Sequence, residues 1–321
     1  MLQYIGRRLI QTIPMIIGIS LILFIVFSLM PSDFVDLQYA NVKISAERLE
    51  AIKEKHGLND PTHIRYFRWM GNMLKGDFGD SSQFKKPVTE VIGDYIWNSF
   101  ILAVIAQFLA ILIAVPIGIY SAVKQYSIFD MIFTVFALIG ISIPAFFFGL
   151  LLQKIFAVDL GLLPLVGMKT AGSKLTGFAN ILDIAKHMIL PLTVLTLISV
   201  GGLMRYTRTA MLEVIRQDYI RTARAKGLSE NVVIYKHAFR NAMIPLITLL
   251  GFMLPGLFAG AILTESIFGW PGIGRIALQS INQRDYFFLM AFNVLMSLLT
   301  LMGNLLADLL YAAADPRIRL Q

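Results

Sequence analysis

The sequence contains no cysteine in 321 residues, which excludes a disulfide framework and any thiolate metal or redox centre. Charge is scarce too. Asp, Glu, Lys and Arg make up 15% of the chain against 57% apolar residues, far from the globular average, and this places it among integral membrane proteins. No G-x-x-x-x-G-K-[ST] phosphate loop is present, so ATP is not expected to bind here by that mechanism. The Gly269–Gly274 cluster lacks the lysine and the strand–helix context and reads as an outer-loop turn. Four histidines (His56, His63, His187, His237) are scattered without H-E-x-x-H spacing, and no metal site is expected. Asp77-Phe78-Gly79 copies a kinase triplet but has no catalytic loop beside it. No constellation for catalysis is apparent. The net charge of +8 does not argue for nucleic acid, because membrane proteins gather Lys and Arg on one face for topology. The N-terminal apolar segment is too long for a signal h-region and lacks a small-x-small site, so no cleavage is expected.

Long apolar runs are what the chain does have. Six are long enough to cross ~30 Å of hydrocarbon as helices, near Leu9–Met30, Ile96–Val123, Phe129–Val158, Met188–Met211, Met243–Ile267 and Phe287–Ala312. Pro116, Pro144, Pro191 and Pro255 lie inside them, where neighbouring helices or Ser/Thr side chains satisfy the freed backbone groups. The third run exceeds a straight span and is expected to tilt or break at Gly140-x-x-x-Pro144. Short loops at one end carry Arg7, Arg8, Lys124, the basic residues of a central stretch, Arg317 and Arg319. Segment 31–95 balances nine basic against ten acidic residues. This bias predicts six spans with both termini cytoplasmic. Residues 1–30 then form the N-terminus and first span, 31–95 an extracytoplasmic helical segment, 96–312 a five-span core, and 313–321 a cytoplasmic tail. Within 31–95, Ser45 caps an expected helix ended by Gly57, and a second runs from Pro61 to Gly76. Outer loops 159–187 and 268–286 are rich in Gly and Pro, as lids over a pore would be.

The stretch Glu213–Pro245 is the polar exception. Asp218 is placed to cap a short helix Tyr219–Lys226, Lys226 lies at the negative end of its dipole, and Gly227 is the usual left-handed stop. Ser229 is then placed to cap a second helix through Val232 and Tyr235 toward Phe239. Two short helices joined at a glycine make a knob suited to docking a soluble partner. The same basic density would also suit anionic headgroups. However, a lipid-facing helix shows one basic and one apolar face, whereas Arg221, Arg224 and Lys226 alternate with Thr222, Ala223 and Ala225.

This stretch resembles the cytoplasmic coupling loop of ABC importer permeases. With Gly227 fixed, the Glu-Ala-Ala positions of the general motif fall on Arg221, Thr222 and Ala223, and its Ile-x-Leu-Pro falls on His237 to Arg240. Only Ala223 and Gly227 match literally. The run Tyr219-Ile220-Arg221-Thr222-Ala223-Arg224-Ala225-Lys226-Gly227-Leu228, with His237-Ala238-x-Arg240-Asn241-Ala242 and Pro245, resembles the oligopeptide/dipeptide permease variant closely. Matches extend over essentially the whole chain: Arg7-Arg8, Gly76-Asp77-Phe78-Gly79-x-Ser81, Pro87-Val88, Gly161-Leu162-Leu163-Pro164, Glu265-x-Ile267-Phe268, Pro271-Gly272-x-Gly274, Arg284-Asp285-Tyr286, Asn304-Leu305-x-x-Asp308-x-x-Tyr311 and Asp315-Pro316-Arg317. Pro31-Ser32-Asp33-Phe34 departs from the family's Pro-Gly-Asp-Pro.

The resemblance implies an all-α type I ABC importer permease in a bacterial or archaeal plasma membrane, with the lipid bilayer around it and no nucleic-acid partner. It implies a second homologous permease, two cytoplasmic ATPases that bind ATP and Mg, and an extracytoplasmic substrate-binding protein delivering peptide. Asp218, Tyr219, Arg221, Thr222, Ala223, Arg224, Ala225, Lys226, Gly227, Leu228 and Ser229 would form the ATPase-coupling site. Relatives of this family also carry nickel, glutathione or oligosaccharide. Glu265, Asn293 and Gln107 are candidates for the pathway wall, because polar groups in hydrocarbon are costly unless they face protein or water; for Glu265 an interfacial carboxylate at a helix end is the alternative. Asp308 reads as structural. A stand-alone secondary transporter would need midplane ion-coupling groups and often inverted repeats, neither of which is evident. A plain membrane anchor has no need of so large a polar loop.

Overall fold

The computed structural model describes residues 2–29, 45–55, 58–243, 246, 253–259 and 261–314, and these are mostly helical. The helices are α1 (Leu2–Ser28), α2 (Ala46–Lys55), α3 (Thr62–Leu74), α4 (Val88–Val123), α5 (Ile128–Ser142), α6 (Ala145–Leu152), α7 (Gly177–Ile215), α8 (Asp218–Ala225), α9 (Leu254–Ala259), α10 (Ile262–Ile267), α11 (Ile273–Gln283) and α12 (Tyr286–Ala314). Wider π-helical segments follow α6, at Gln153–Asp159, and the knob turn, at Val232–Phe239. The Pro31-Ser32-Asp33-Phe34 departure, Gly57, Pro245 and the tail from Asp315 lie outside the described residues.

Four helical segments are long and apolar enough to cross a membrane: Ile10–Ser28, Val88–Val123, Gly177–Ile215 and Tyr286–Leu309. The expected third span is present as a broken one, α5 and α6 with its π-helical extension meeting at 100°. Ile143 at the break has ψ 124°, the extended conformation that the ring of a following proline, here Pro144, imposes. The expected fifth span runs partly over residues outside the described set, and α9 and α10 are its described parts.

Two boundaries differ from expectation. Helix α4 begins at Val88 rather than Ile96, because Pro87 starts it without an amide to satisfy and Val88 and Val91 bury completely beside α11 and α12. Helix α11 occupies what reads as a Gly/Pro loop. Its Ile273, Ile276, Ala277 and Ser280 are buried at helical spacing against the start of α12, a period that outweighs the two glycines before it.

The bundle is organised on α4 and α7. Along α4 the residues Ala106, Ala110, Ala114, Gly118 and Ala122 recur every fourth position and are all buried, so the two backbones approach closely. At Gly118 a Cβ would sit 2.8 Å from Thr207 Cβ and 2.9 Å from the Met204 carbonyl oxygen. Gly201 makes the same kind of approach to α5, where its Cβ would lie 2.8 Å from the Ala137 carbonyl oxygen. A second, outlying unit joins α1 to α3: Phe24, Tyr66 and Met290 pack together, and Tyr66 Oη lies 3.0 Å from Ser20 Oγ. Within the 45–76 segment, Ser45 Oγ accepts the Arg48 amide at 3.3 Å, and Gly76 closes α3 at φ +82°.

Candidate functional site

The knob is built from buried apolar contacts that seat it on the bundle. Ile220 and Ala223 of α8 and Val233, Ile234 and Ala238 of the π-helical segment enter the same apolar cluster as Val115, Ile119 and Ala122 of α4 and Met211 of α7. Fully burying a side chain such as Ile220 or Val233 stabilises by about 1.5–3 kcal/mol each, so these contacts hold the knob against α4 and α7.

Its turn is fixed twice. Gly227 has φ +76°, the left-handed region that only glycine enters without cost, and its amide bonds the Arg224 carbonyl at 2.9 Å. Across the turn, Arg224 donates to both Glu230 carboxylate oxygens, at 2.7 and 3.2 Å. This forked pair ties α8 to the start of the following helical stretch. Arg224 beside Glu230 holds that carboxyl below the usual carboxylate range, and Glu230 raises Arg224 in turn.

The eleven expected docking residues are thus brought together, with one local correction. Helix α8 starts at Asp218, and the cap position is Gln217, whose side chain accepts no capping bond. Asp218 therefore lies in the first turn, where its charge favours the helix dipole; one carboxylate oxygen is 3.7 Å from Arg221. Thr222 Oγ1 donates to the Asp218 carbonyl at 3.0 Å, and Lys226 closes the helix by donating to the Thr222 carbonyl at 3.1 Å. Ser229 precedes the next helical stretch, and its carbonyl accepts the Val233 amide at 3.1 Å. The outward face of the knob carries Tyr219, Leu228, Val232 and Tyr235, of which Tyr235 is 59% exposed. Arg221, Ala225 and Lys226 are exposed beside them.

At the same end of the bundle, one helical turn before Met211 on α7, is an ion pair the sequence reading missed. Asp130, in the first turn of α5, is buried. Arg208 of α7 grips it with Nε to Oδ1 at 2.8 Å and Nη2 to Oδ2 at 2.9 Å. Ser121 Oγ and the Tyr126 amide also donate to it. The available signal was Ser127-x-x-Asp130: Ser127 caps α5 by accepting the Asp130 amide at 3.2 Å.

The three pathway candidates lie apart, and no hydrogen bond joins them among the described residues. Asn293 donates to the Leu289 carbonyl at 2.7 Å on its own helix. Gln107 sits on α4 with its Nε2 buried and unpartnered. Glu265 is wholly buried. Its Oε1 accepts Ser99 Oγ at 2.6 Å and the Ala261 amide at 3.1 Å, and its Oε2 accepts the Arg275 amide at 2.9 Å. Ser99 Oγ in turn accepts the Ile273 amide at 2.8 Å. A Cβ on Gly272 would lie 2.4 Å from Glu265 Cδ, and one on Gly274 would lie 2.9 Å from Oε2. The spaced Glu265 and Gly272-x-Gly274 are therefore one packed unit at the end opposite the knob. Nearby, Asp285 accepts from Ser81 Oγ, which brings the 76–81 and 284–286 motifs together.

Apolar helices joined by small-residue crossings, a sealed polar junction at one end and a compact knob at the other describe a multi-span membrane protein. Residues 114–320 match the family described as binding-protein-dependent transport system inner membrane component, and residues 1–115 match its N-terminal region. The chain belongs to this family. It is 44% identical over 319 residues to the oligopeptide transport system permease protein AppB of Bacillus subtilis (strain 168), covering 99% of each chain. It is 39% identical over 333 residues to the dipeptide transport system permease protein DppB of Alkalihalophilus pseudofirmus, covering 99% of this chain and 100% of that one. It is also 37% identical over 319 residues to the glutathione transport system permease protein GsiC of Salmonella paratyphi A, covering 99% of each. Two structures of the MetNI methionine ABC transporter in inward-facing conformations share the fold. Their TM-scores are 0.51 and 0.53 at 16% and 17% identity, over 71% and 70% of this chain and 97% and 96% of theirs. The fold is that of a type I ABC permease.

Proposed function

We propose that this chain is a translocation subunit of an ATP-driven, binding-protein-dependent importer of di- or oligopeptides. Six spans with both termini cytoplasmic put the knob and the Asp130–Arg208 pair on the cytoplasmic face and the Glu265 junction on the outer face. A second homologous permease completes the pathway, two ABC ATPases dock on the knobs, and a substrate-binding protein delivers peptide from outside the bacterial or archaeal plasma membrane. ATP and Mg belong to the ATPase subunits, with no cofactor held by this chain. When the ATPase pair closes, the two knobs are drawn together; α4 and α7 follow because the knob shares their core, and the pathway opens outward. Hydrolysis resets it. The coupling is mechanical, between two global states.

The observation that carries this reading is the knob's two-sidedness. Ile220 and Val233 are buried in the bundle while Tyr219, Leu228, Val232 and Tyr235 face away from it. Four exposed apolar side chains on an element whose other side is buried in the bundle favour a surface that another protein covers. Replacing Leu228 and Tyr235 with Asp is expected to abolish co-purification of an ATPase while leaving membrane insertion and yield intact. Undiminished ATPase binding by that variant would refute the docking role. The names of the relatives carry the peptide assignment, and glutathione, itself a tripeptide, remains within the same cargo chemistry.

A further inference from the structure

Helix α7 packs against α4, α5, α6, α10 and the π-helical segment Val232–Phe239, and among the described residues one of its faces is left uncovered. On it Gly202, Arg205, Tyr206, Thr209, Ala210 and Glu213 line a groove of ≈ 380 Å³. Their spacing by threes and fours puts them on one side of the helix. The two charged side chains have no partner among the described residues. Side chains do bond the backbone of these two residues: Thr209 Oγ1 donates to the Arg205 carbonyl at 3.0 Å, and Gln217 Nε2 donates to the Glu213 carbonyl at 3.4 Å. Arg208, one turn on, is by contrast paired bidentately with Asp130.

Position matters as much as pairing. Asp130 lies in the first turn of α5, just past the short 124–127 connection, so Arg208 sits near the boundary of the apolar span. Arg205 lies three residues deeper, about 4.5 Å along the helix. An unpaired guanidinium and a row of polar groups at that depth are disfavoured against hydrocarbon, so the face is met by water or by something that answers its charge.

We propose that this groove binds peptide on the knob side of the translocation route, with Arg205 holding the C-terminal carboxylate and Glu213 the amino terminus. The proposal rests on the peptide-importer reading. The guanidinium fork matches a carboxylate bidentately, and Gly202, with nothing within 4 Å of a would-be Cβ, leaves the groove wall open. Arg205 and Glu213 are eight residues apart, about 12 Å along the helix. Extended chain covers about 3.3–3.6 Å per residue, so three or four residues join the two charges, whereas a dipeptide engages one.

The test uses the complete transporter in proteoliposomes, turning over with ATP, binding protein and a diazirine-bearing tripeptide. After irradiation the cross-links are mapped by mass spectrometry. Labelling within residues 202–213, competed by unlabelled tripeptide, is the expected result. Arg205→Gln should lower it about tenfold, the scale of losing a charge-assisted hydrogen bond, while Arg205→Lys keeps part of it; the melting temperature of each complex checks assembly. Stimulated ATP hydrolysis with no wild-type label in this segment overturns the site and leaves the importer reading standing. Labelling displaced by phosphatidylglycerol but not by tripeptide makes the groove a lipid site and also overturns it. Failure of peptide-loaded binding protein to stimulate hydrolysis overturns the importer reading itself.

Discussion

Replacing Gly227 isolates backbone geometry from side-chain contact. Nothing lies within 4 Å of a Cβ built there, yet φ is +76°, so a substitution meets no atoms and pays only for the left-handed conformation. That cost is roughly 1–2 kcal/mol for an ordinary L-residue. It is larger for a β-branched one, and small for Asn, whose short polar side chain bonds locally. At 1.4 kcal/mol per tenfold, Gly227→Val should therefore depopulate the native turn by about one to two orders of magnitude. The Arg224–Glu230 bridge opposes this only weakly, because both side chains are about half exposed and such pairs contribute little. Once the turn opens, α8 and the π-helical segment no longer present Tyr219, Leu228, Val232 and Tyr235 as one surface. The spans do not depend on the turn, so insertion should be normal. With the complex reconstituted at matched protein levels, peptide-stimulated ATP hydrolysis should rank wild type, Asn, Ala, Val in falling order. Val at wild-type stimulation would refute the argument. Asn failing as badly as Val would show that contact at this position, rather than its φ, is what matters.

Two further outcomes are expected. Arg208→Ala strands a buried Asp130 and should destabilise by about 3–5 kcal/mol; adding Asp130→Ala should recover part of this, and strictly additive losses in melting temperature would contradict the pairing. Gly118→Leu drives a side chain into Thr207 and the Met204 carbonyl and should cost at least the 1–3 kcal/mol typical of overpacking, whereas Gly93→Ala on the same helix, with no atom within 4 Å of its Cβ, should be neutral or slightly stabilising. Equal yields of the two in membranes would count against the α4–α7 crossing.

How far the sequence revealed this depends on the range of the interaction that decides each feature. The bend at Ile143-Pro144 was readable because a proline restricts its own neighbour. The left-handed Gly227 and the cap at Ser45 were readable for the same local reason. Asp218 was misplaced by one position, since the residue type alone does not say which of Gln217 and Asp218 leaves the helical conformation first; Gln217 does, at ψ 149°. Helix α11 was hidden by the glycines before it, although its Ile273, Ile276 and Ala277 carry the helical period. Glu265 shows the limit most plainly: its sequence position says only that a carboxylate ends a helix. That Ser99, 166 residues earlier, and the Arg275 amide saturate it, and that Gly272 and Gly274 are small because it lies against them, exists only in three dimensions. The Ser127-x-x-Asp130 cap was readable, but that Arg208, 78 residues on, pairs with Asp130 was not, for the same reason.

The account is tested most directly by ATP hydrolysis in the complex purified on this chain and reconstituted in lipid, with and without binding protein loaded with a peptide mixture. Hydrolysis should rise with loaded binding protein and lose that rise on Gly227→Val. A complex in which no ATPase accompanies this chain would contradict it.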